Sequence, residues 1–296
     1  MKTLEIESKT IITRQKSGNH WFAYDYNMNL YRGCIHGCIY CDSRSECYGI
    51  DNFEEIKVKV NAIDLLKEKL MKKRNKGIIG MGSMSDPYNP VERKYLLTRR
   101  SLELIREEKF GVFLITKSDL VLRDMSILSD INKNHKAIVG LTITTFDDEL
   151  ALKIEPHVTK SSMRFEAIRK LSDDGITAGV LLMPVLPFIN DNPENIINIV
   201  KAAATSGAKF IYPWFGVTLR QNQRDYFYER LDENFPGIKA KYVKTFGYKY
   251  SCDSPNSEEL YQVFQESCEE HGILYRMEDI NKLFVAKPEF EQLSLL

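Results

Sequence analysis

Short apolar, often β-branched runs recur through the first 215 residues, and longer stretches whose apolar positions repeat every three or four residues separate them. The runs predict strands at 28–31, 78–81, 112–116, 138–144, 180–185 and 210–214. Between them lie helices with readable starts. One covers 63–74, with Ile63, Leu66 and Leu70 on one face and Lys67, Lys69, Lys72 and Lys73 facing out. Another begins at Val91 and carries Leu96, Leu97, Leu102, Leu104 and Ile105; a third is capped by Ser118; a fourth opens on Asn192, Pro193 and Glu194. Strand-then-helix alternation is the one-dimensional image of a parallel α/β sheet with crossover helices. Short loops and right-handed crossovers wrap such a sheet toward a barrel, and about six units are fewer than a closed barrel uses. The alternation stops near residue 220. This divides the chain into a lead-in (1–26), an α/β body (27–220) and a C-terminal extension (221–296) with a clear helix at 258–270.

Composition narrows the class. At 43% hydrophobic residues the 296-residue chain can bury a full core, and its 41 basic and 41 acidic residues cancel, so no global field draws it to nucleic acid or an anionic membrane. The opening "MKTLEIESKT" lacks the apolar core of a signal peptide, and the longest apolar run, from Ala178, is broken by two prolines. A cytoplasmic monomer away from membranes is the expectation. In that reducing compartment six cysteines are metal ligands or reactive thiols before they are disulfides.

Four of the six stand in "YRGCIHGCIYCDSRSEC", where Cys34, Cys38 and Cys41 are spaced CxxxCxxC and Cys47 follows. Structural zinc takes four ligands from separated pairs, a poor match to three thiols in one loop. A cubane iron-sulfur cluster held by three cysteines keeps one iron open for a small molecule. The alternative is a closed cluster with Cys47 as fourth ligand, which would make an electron carrier or sensor. His36 is a loop residue near the metal rather than a ligand.

The CxxxCxxC spacing with Tyr40 before the third cysteine resembles the radical S-adenosylmethionine (radical SAM) superfamily. The resemblance implies a 4Fe-4S cluster on Cys34, Cys38 and Cys41 and S-adenosyl-L-methionine (SAM) on the open iron. It also implies an electron from a flavodoxin or ferredoxin-type reductant and a 5′-deoxyadenosyl radical that abstracts hydrogen from the substrate. Together with "SDPYNPVE", "ITKSDLVLRD", "LTITTFDDEL", "LMPVLPFIND" and "YPWFGVTLR", the loop is similar to the spore photoproduct lyase-like group over 27–220. That similarity implies a partial (β/α)6 TIM-type barrel with a mostly helical C-terminal extension, and SAM contacts from Tyr40, Ser85 and Lys117. The lyase of that group repairs a thymine photoproduct in DNA and returns hydrogen from a cysteine just ahead of a Ser-Asp pair. Here the sequence is Ser83-Met84-Ser85-Asp86, with no thiol, although Cys47 would substitute if it folded over the mouth.

The strand ends supply further candidates. Gly80–Pro90 brings glycines and the hydroxyls of Ser83 and Ser85; Lys117 follows the third strand, either meeting a SAM carboxylate or starting a solvated helix. Thr142 and Thr144 share one side of the fourth strand, where they reach ribose hydroxyls or fill a sheet face. In the extension, Cys268 falls on a helix's apolar face, Cys252 sits before a loop, and "KAKYVKTFGYKY" interleaves lysines with aromatics as a nucleic-acid surface does, or as a solvated face does. The sequence therefore points to a radical SAM enzyme acting on an unidentified substrate, with DNA lesion repair and a non-catalytic iron-sulfur carrier as the alternatives.

Overall fold

The six apolar runs form neighbouring parallel strands, Tyr26–Met28, Ile78–Met81, Gly111–Thr116, Ala137–Thr142, Thr177–Leu182 and Phe210–Pro213, lying side by side in chain order. Met28 sits opposite Met81 and Leu182 opposite Pro213; the strand Ile12–Arg14 pairs antiparallel with the first barrel strand. Helices Ala62–Met71, Leu97–Glu107, Met125–Asn134, Ser161–Asp173 and Pro193–Thr205 make the crossovers. The computed structural model describes residues 3–15, 21–50 and 52–285; parts of the expected lead-in and extension (1–2, 16–20 and 286–296) lie outside these.

Both faces of the sheet are covered, which explains why the strands read as unbroken apolar runs. The outer face, including Val112, Leu114, Val139 and Leu141, packs on the helices in the main core. The inner face presents Ile78, Phe113, Ile138, Leu181 and Phe210, and between them insert Phe22, Tyr24, Ile280 and Phe284. Rings thus seal the N-terminal end of the barrel. Two strand glycines make room for them: a Cβ on Gly80 would stand 2.5 Å from the Tyr24 ring, and one on Gly179 2.5 Å from Phe210.

Several boundaries differ from the pattern. The first strand ends at Met28 instead of residue 31, and Tyr31–Arg32 pairs antiparallel with Ile56–Lys59 in a side sheet that also holds Thr3–Ile6. Asn29 turns the chain: its carbonyl accepts from Lys59 Nζ at 2.6 Å and its side chain from Met84 N–H at 3.3 Å. The helix expected from Val91 breaks at Leu96, whose φ is +52°, into Glu92–Tyr95 and Leu97–Glu107. The buried Glu92 carboxylate causes the break by accepting from the N–H groups of Thr98 and Arg99 at 2.9 and 3.3 Å, capping the second helix, while Tyr31 and Arg123 also bind it. The fifth strand stops at Leu182, two residues before Pro184, which has no N–H to donate.

In the extension, Gln223–Asn234 and Ile238–Phe246 are helices, Ser251–Asp253 pairs antiparallel with Gly216–Thr218, and Ser257–His271 packs along Pro193–Thr205. Cys268, with Leu260 and Phe264, joins the main core as its helical position suggested. The lysine-aromatic stretch divides by helix face: Tyr242 and Phe246 are buried, Lys239 pairs with Asp232, and Tyr248 and Tyr250 remain outside. Among the described residues no helix is long and apolar enough to cross a membrane.

Candidate active site

The cysteine loop begins at Gly33, whose φ is +83° and where a Cβ would meet the Phe53 carbonyl at 2.7 Å. Only glycine fits this turn. Backbone bonds then pin the loop, from Cys34 N–H to the Phe53 carbonyl at 3.2 Å and from Ile39 N–H to the Ile154 carbonyl at 3.0 Å. Successive residues face opposite ways. Cys34, His36, Cys38, Tyr40 and Cys41 line a cavity of about 220 Å³ at the C-terminal ends of the strands, where Ser85, Lys117, Met183, Trp214 and Thr218 complete the wall. Ile35, Gly37 and Ile39 instead line a larger outer groove of about 870 Å³. The three motif thiols open into the smaller space.

Asp86 organises this wall. Its Oδ1 accepts from Tyr88 N–H at 2.8 Å and Thr116 Oγ1 at 2.7 Å, its Oδ2 accepts from Lys117 N–H at 2.8 Å, and His36 Nε2 stands 3.3 Å from Oδ2. Burial alone would raise this carboxyl, but His36, the Lys117 N–H and the Lys117 charge outweigh it and hold it down at about 2. Ser85 Oγ donates to the Gly33 carbonyl at 2.7 Å, so the segment after the second strand is tied to the cysteine loop.

Behind the cysteines lies a second buried set. Tyr40 donates its hydroxyl to Glu155 Oε1, and Arg164 Nη2 donates to Glu155 Oε2 at 2.6 Å. The fully buried Arg164 also binds the carbonyls of Thr159 and Thr142, each at 2.6 Å. The Lys117 ammonium lies 5.8 Å from the centre of the Tyr40 ring and forms no hydrogen bond or ion pair among the described residues. Burial would lower its pKa, but Cys38, Glu155, Asp86 and Cys41 outweigh this and keep it charged.

The thiols themselves resist ionisation. Cys34 is pushed up to about 12 by burial, Asp86 and Cys41, Cys38 rises well above its usual value by burial, and Cys41 rises by burial against the pull of Lys117. Thiols confined this way become thiolates when positive irons take the place of their protons. Among the described residues no three Cys, His, Asp or Glu side chains converge on the position of a single ion. Three thiols on one cavity wall are the donor type that an iron-sulfur cluster takes.

Residues 28–200 match the family model of the Radical SAM superfamily. The chain belongs to the radical SAM superfamily. An uncharacterized protein of Methanocaldococcus jannaschii is 35% identical over 215 residues, 71% of this chain and 76% of that one. The Radical SAM Nalpha-GlyT isomerase of Pseudomonas phage M6 is 22% identical over 248 residues, 82% of this chain and 51% of that one. A spore photoproduct lyase mutant with bound AdoMet and dinucleoside spore photoproduct shares the fold at a TM-score of 0.67 and 15% identity, over 90% of this chain and 78% of that one. By family and fold this is a radical SAM enzyme with the partial barrel expected from the sequence.

Within this radical SAM barrel the expected residues separate into two groups. Cys34, Cys38, Cys41, Tyr40, Ser85 and Lys117 meet at the cavity; Thr142 and Thr144 do not line it. Both threonines are buried; the carbonyl of Thr142 is taken by Arg164 and that of Thr144 by Asn190 and Asn195. Cys47 is exposed on the outside of the loop, where Arg220 Nη1 lies 3.0 Å from its Sγ, and it lines another depression. Cys252 is buried with Tyr242 and Phe246 in the core of the extension, which also receives Cys38, Ile39 and Tyr40. Sequence reasoning missed Asp86, Glu155 and Arg164 as members of the site. Asp86 lies within the Gly80–Pro90 segment beside the Ser85 candidate; Glu155 and Arg164 look like ordinary surface charges until the fold buries them.

Proposed function

We propose that Cys34, Cys38 and Cys41 hold a 4Fe-4S cluster whose open iron takes SAM, and that the protein abstracts hydrogen from a substrate seated at the barrel mouth. The observation that carries this reading is the convergence on one small cavity of the three thiols with a charged Lys117 that is unpaired among the described residues. When bound, the cluster would supply the electron that cleaves SAM to methionine and a 5′-deoxyadenosyl radical. The chain's own part is to place and shield. Lys117 offers a cation to a carboxylate, the Tyr40 ring offers a flat apolar face, and Ser85, already donating to Gly33, fixes the segment opposite the thiols. Met84, Met183 and Trp214 give the cavity an apolar edge toward the substrate.

All six cysteines are described, and only the three of the motif line this cavity. With Met84 ahead of Ser85-Asp86, no protein thiol stands ready to return hydrogen to a product radical, which disfavours a lyase reaction of the photoproduct type. A rearrangement in which the hydrogen returns from the group that removed it needs no such thiol, and the isomerase name of the phage relative is consistent with that choice.

The test is anaerobic reconstitution with iron and sulfide, then SAM and dithionite. Release of 5′-deoxyadenosine, lost in Cys38→Ala, is the expected result. A bound cluster that leaves SAM intact would favour the electron-carrier alternative, and zinc in place of iron would end the reading.

A further inference from the structure

Glu155 and Arg164 have no role in the reading above, yet the geometry they share with Tyr40 is closely determined. Glu155 is 1% exposed and Arg164 is fully buried. A buried ion pair is weak evidence for stability, because desolvating both charges offsets most of their attraction. Its arrangement is more informative than its strength. Arg164 holds Oε2 of Glu155 and Tyr40 holds Oε1, so the carboxylate is fixed by these two partners, while the neighbouring Lys117 forms no ion pair among the described residues. Arg164 spends its other donors on the carbonyls of Thr142, at the end of the fourth strand, and Thr159. The chain of contacts therefore runs from the rigid barrel rim through Arg164 and Glu155 to the hydroxyl of Tyr40, one residue before Cys41.

We infer that Glu155, clamped by Arg164, is a positioning residue that fixes the Tyr40 ring against the cavity and leaves the Lys117 ammonium free to meet a ligand carboxylate. The assignment rests on the proposed function, in which Tyr40 and Lys117 face SAM. It makes SAM affinity depend on a carboxylate that SAM does not touch, acting on the ring through the Tyr40 hydroxyl, beside its charge effect on Lys117. Tyr40→Phe and Glu155→Gln should then remove the same constraint by two routes.

The experiment is a double-mutant cycle read without turnover. Wild-type protein, Tyr40→Phe, Glu155→Gln and the double variant are reconstituted, their iron and sulfide contents compared, and SAM titrated into each dithionite-reduced sample, frozen on mixing before cleavage proceeds, for recording of the cluster's electron paramagnetic resonance signal. All four are expected to assemble equal clusters. Each single variant should need about ten-fold more SAM than wild type to reach half of the spectral change, the size typical of losing a supporting contact behind a metal site. The double variant should need no more than the weaker single one. Multiplying losses in the double variant would show that the two residues act independently and overturn the inference. So would a Tyr40→Phe protein that titrates like wild type, and that variant decides the matter even if Glu155→Gln fails to fold. A wild-type cluster whose signal ignores SAM would overturn the proposed function itself, an outcome distinct from either of these.

Discussion

Asp86 is 9% exposed and accepts hydrogen bonds from three donors that come from its own loop and from the end of the third strand, with His36 of the cysteine loop beside it. Removing the carboxylate leaves those donors facing apolar surroundings, a loss larger than the net strength of any one bond. Asp86→Ala is expected to lower the stability of the apoprotein by about 3 kcal/mol, measured as a shift in the urea midpoint. An unchanged midpoint would mean that the wall is held elsewhere. The opposite case is Tyr242, fully buried with a hydroxyl that has no hydrogen-bond partner among the described residues. Tyr242→Phe removes an unpaired polar atom and keeps the ring, so it should stabilise the protein by about 1 kcal/mol. A lower melting temperature for this variant would show that the hydroxyl is satisfied in solution. The motif cysteines were legible because three ligands within eight residues carry their chemistry in their spacing. Asp86, Glu155 and Arg164 were not, since each acquires its role from a partner in a distant segment.

Among the elements, the barrel strands show how side-chain volume is shared across the sheet. Gly179 faces the Phe210 ring at 2.5 Å from where its Cβ would stand, whereas a Cβ on Gly140 would meet the Leu181 side chain at 3.3 Å. Phe210 is buried on all sides and cannot retreat. Gly179→Ala should therefore cost about 1–3 kcal/mol by overpacking, and Gly140→Ala distinctly less, compared by thermal unfolding of the two variants. Equal losses would place the cost in the backbone and not in the ring. Strand existence was legible from apolar runs, while strand ends were shifted by two or three residues because Asn29 and Pro184 stop pairing through contacts and missing donors. The helix break at Leu96 was hidden for a related reason: the apolar spacing continues across it, and only the burial of Glu92 reveals that a second helix starts there. The 239–250 stretch allowed two readings, since alternation of lysine and ring is also what an amphipathic helix produces when Tyr242 and Phe246 turn inward.

For the whole molecule, the extension and the barrel share their cores. Ser257–His271 packs on Pro193–Thr205, Leu274 bonds to the edge of the sixth strand, and Cys38, Ile39 and Tyr40 enter the same apolar cluster as Phe227, Tyr242 and Cys252. A chain ending after Arg220 is expected to be insoluble or to bind a fluorescent apolar dye strongly. A soluble fragment that still assembles an iron-sulfur chromophore would show that the barrel supports its metal loop alone. The pattern of alternation exposed the six units but could not show this sharing, because the extension has among its described helices only the short strand Ser251–Asp253 to mark their place. The ring-filled floor has a further consequence. With Phe22, Tyr24, Phe113, Phe210 and Phe284 stacked across the N-terminal end, the described residues close that side of the barrel. Arrival and departure are therefore expected at the opposite rim, where whichever guest settles deepest enters first and leaves last.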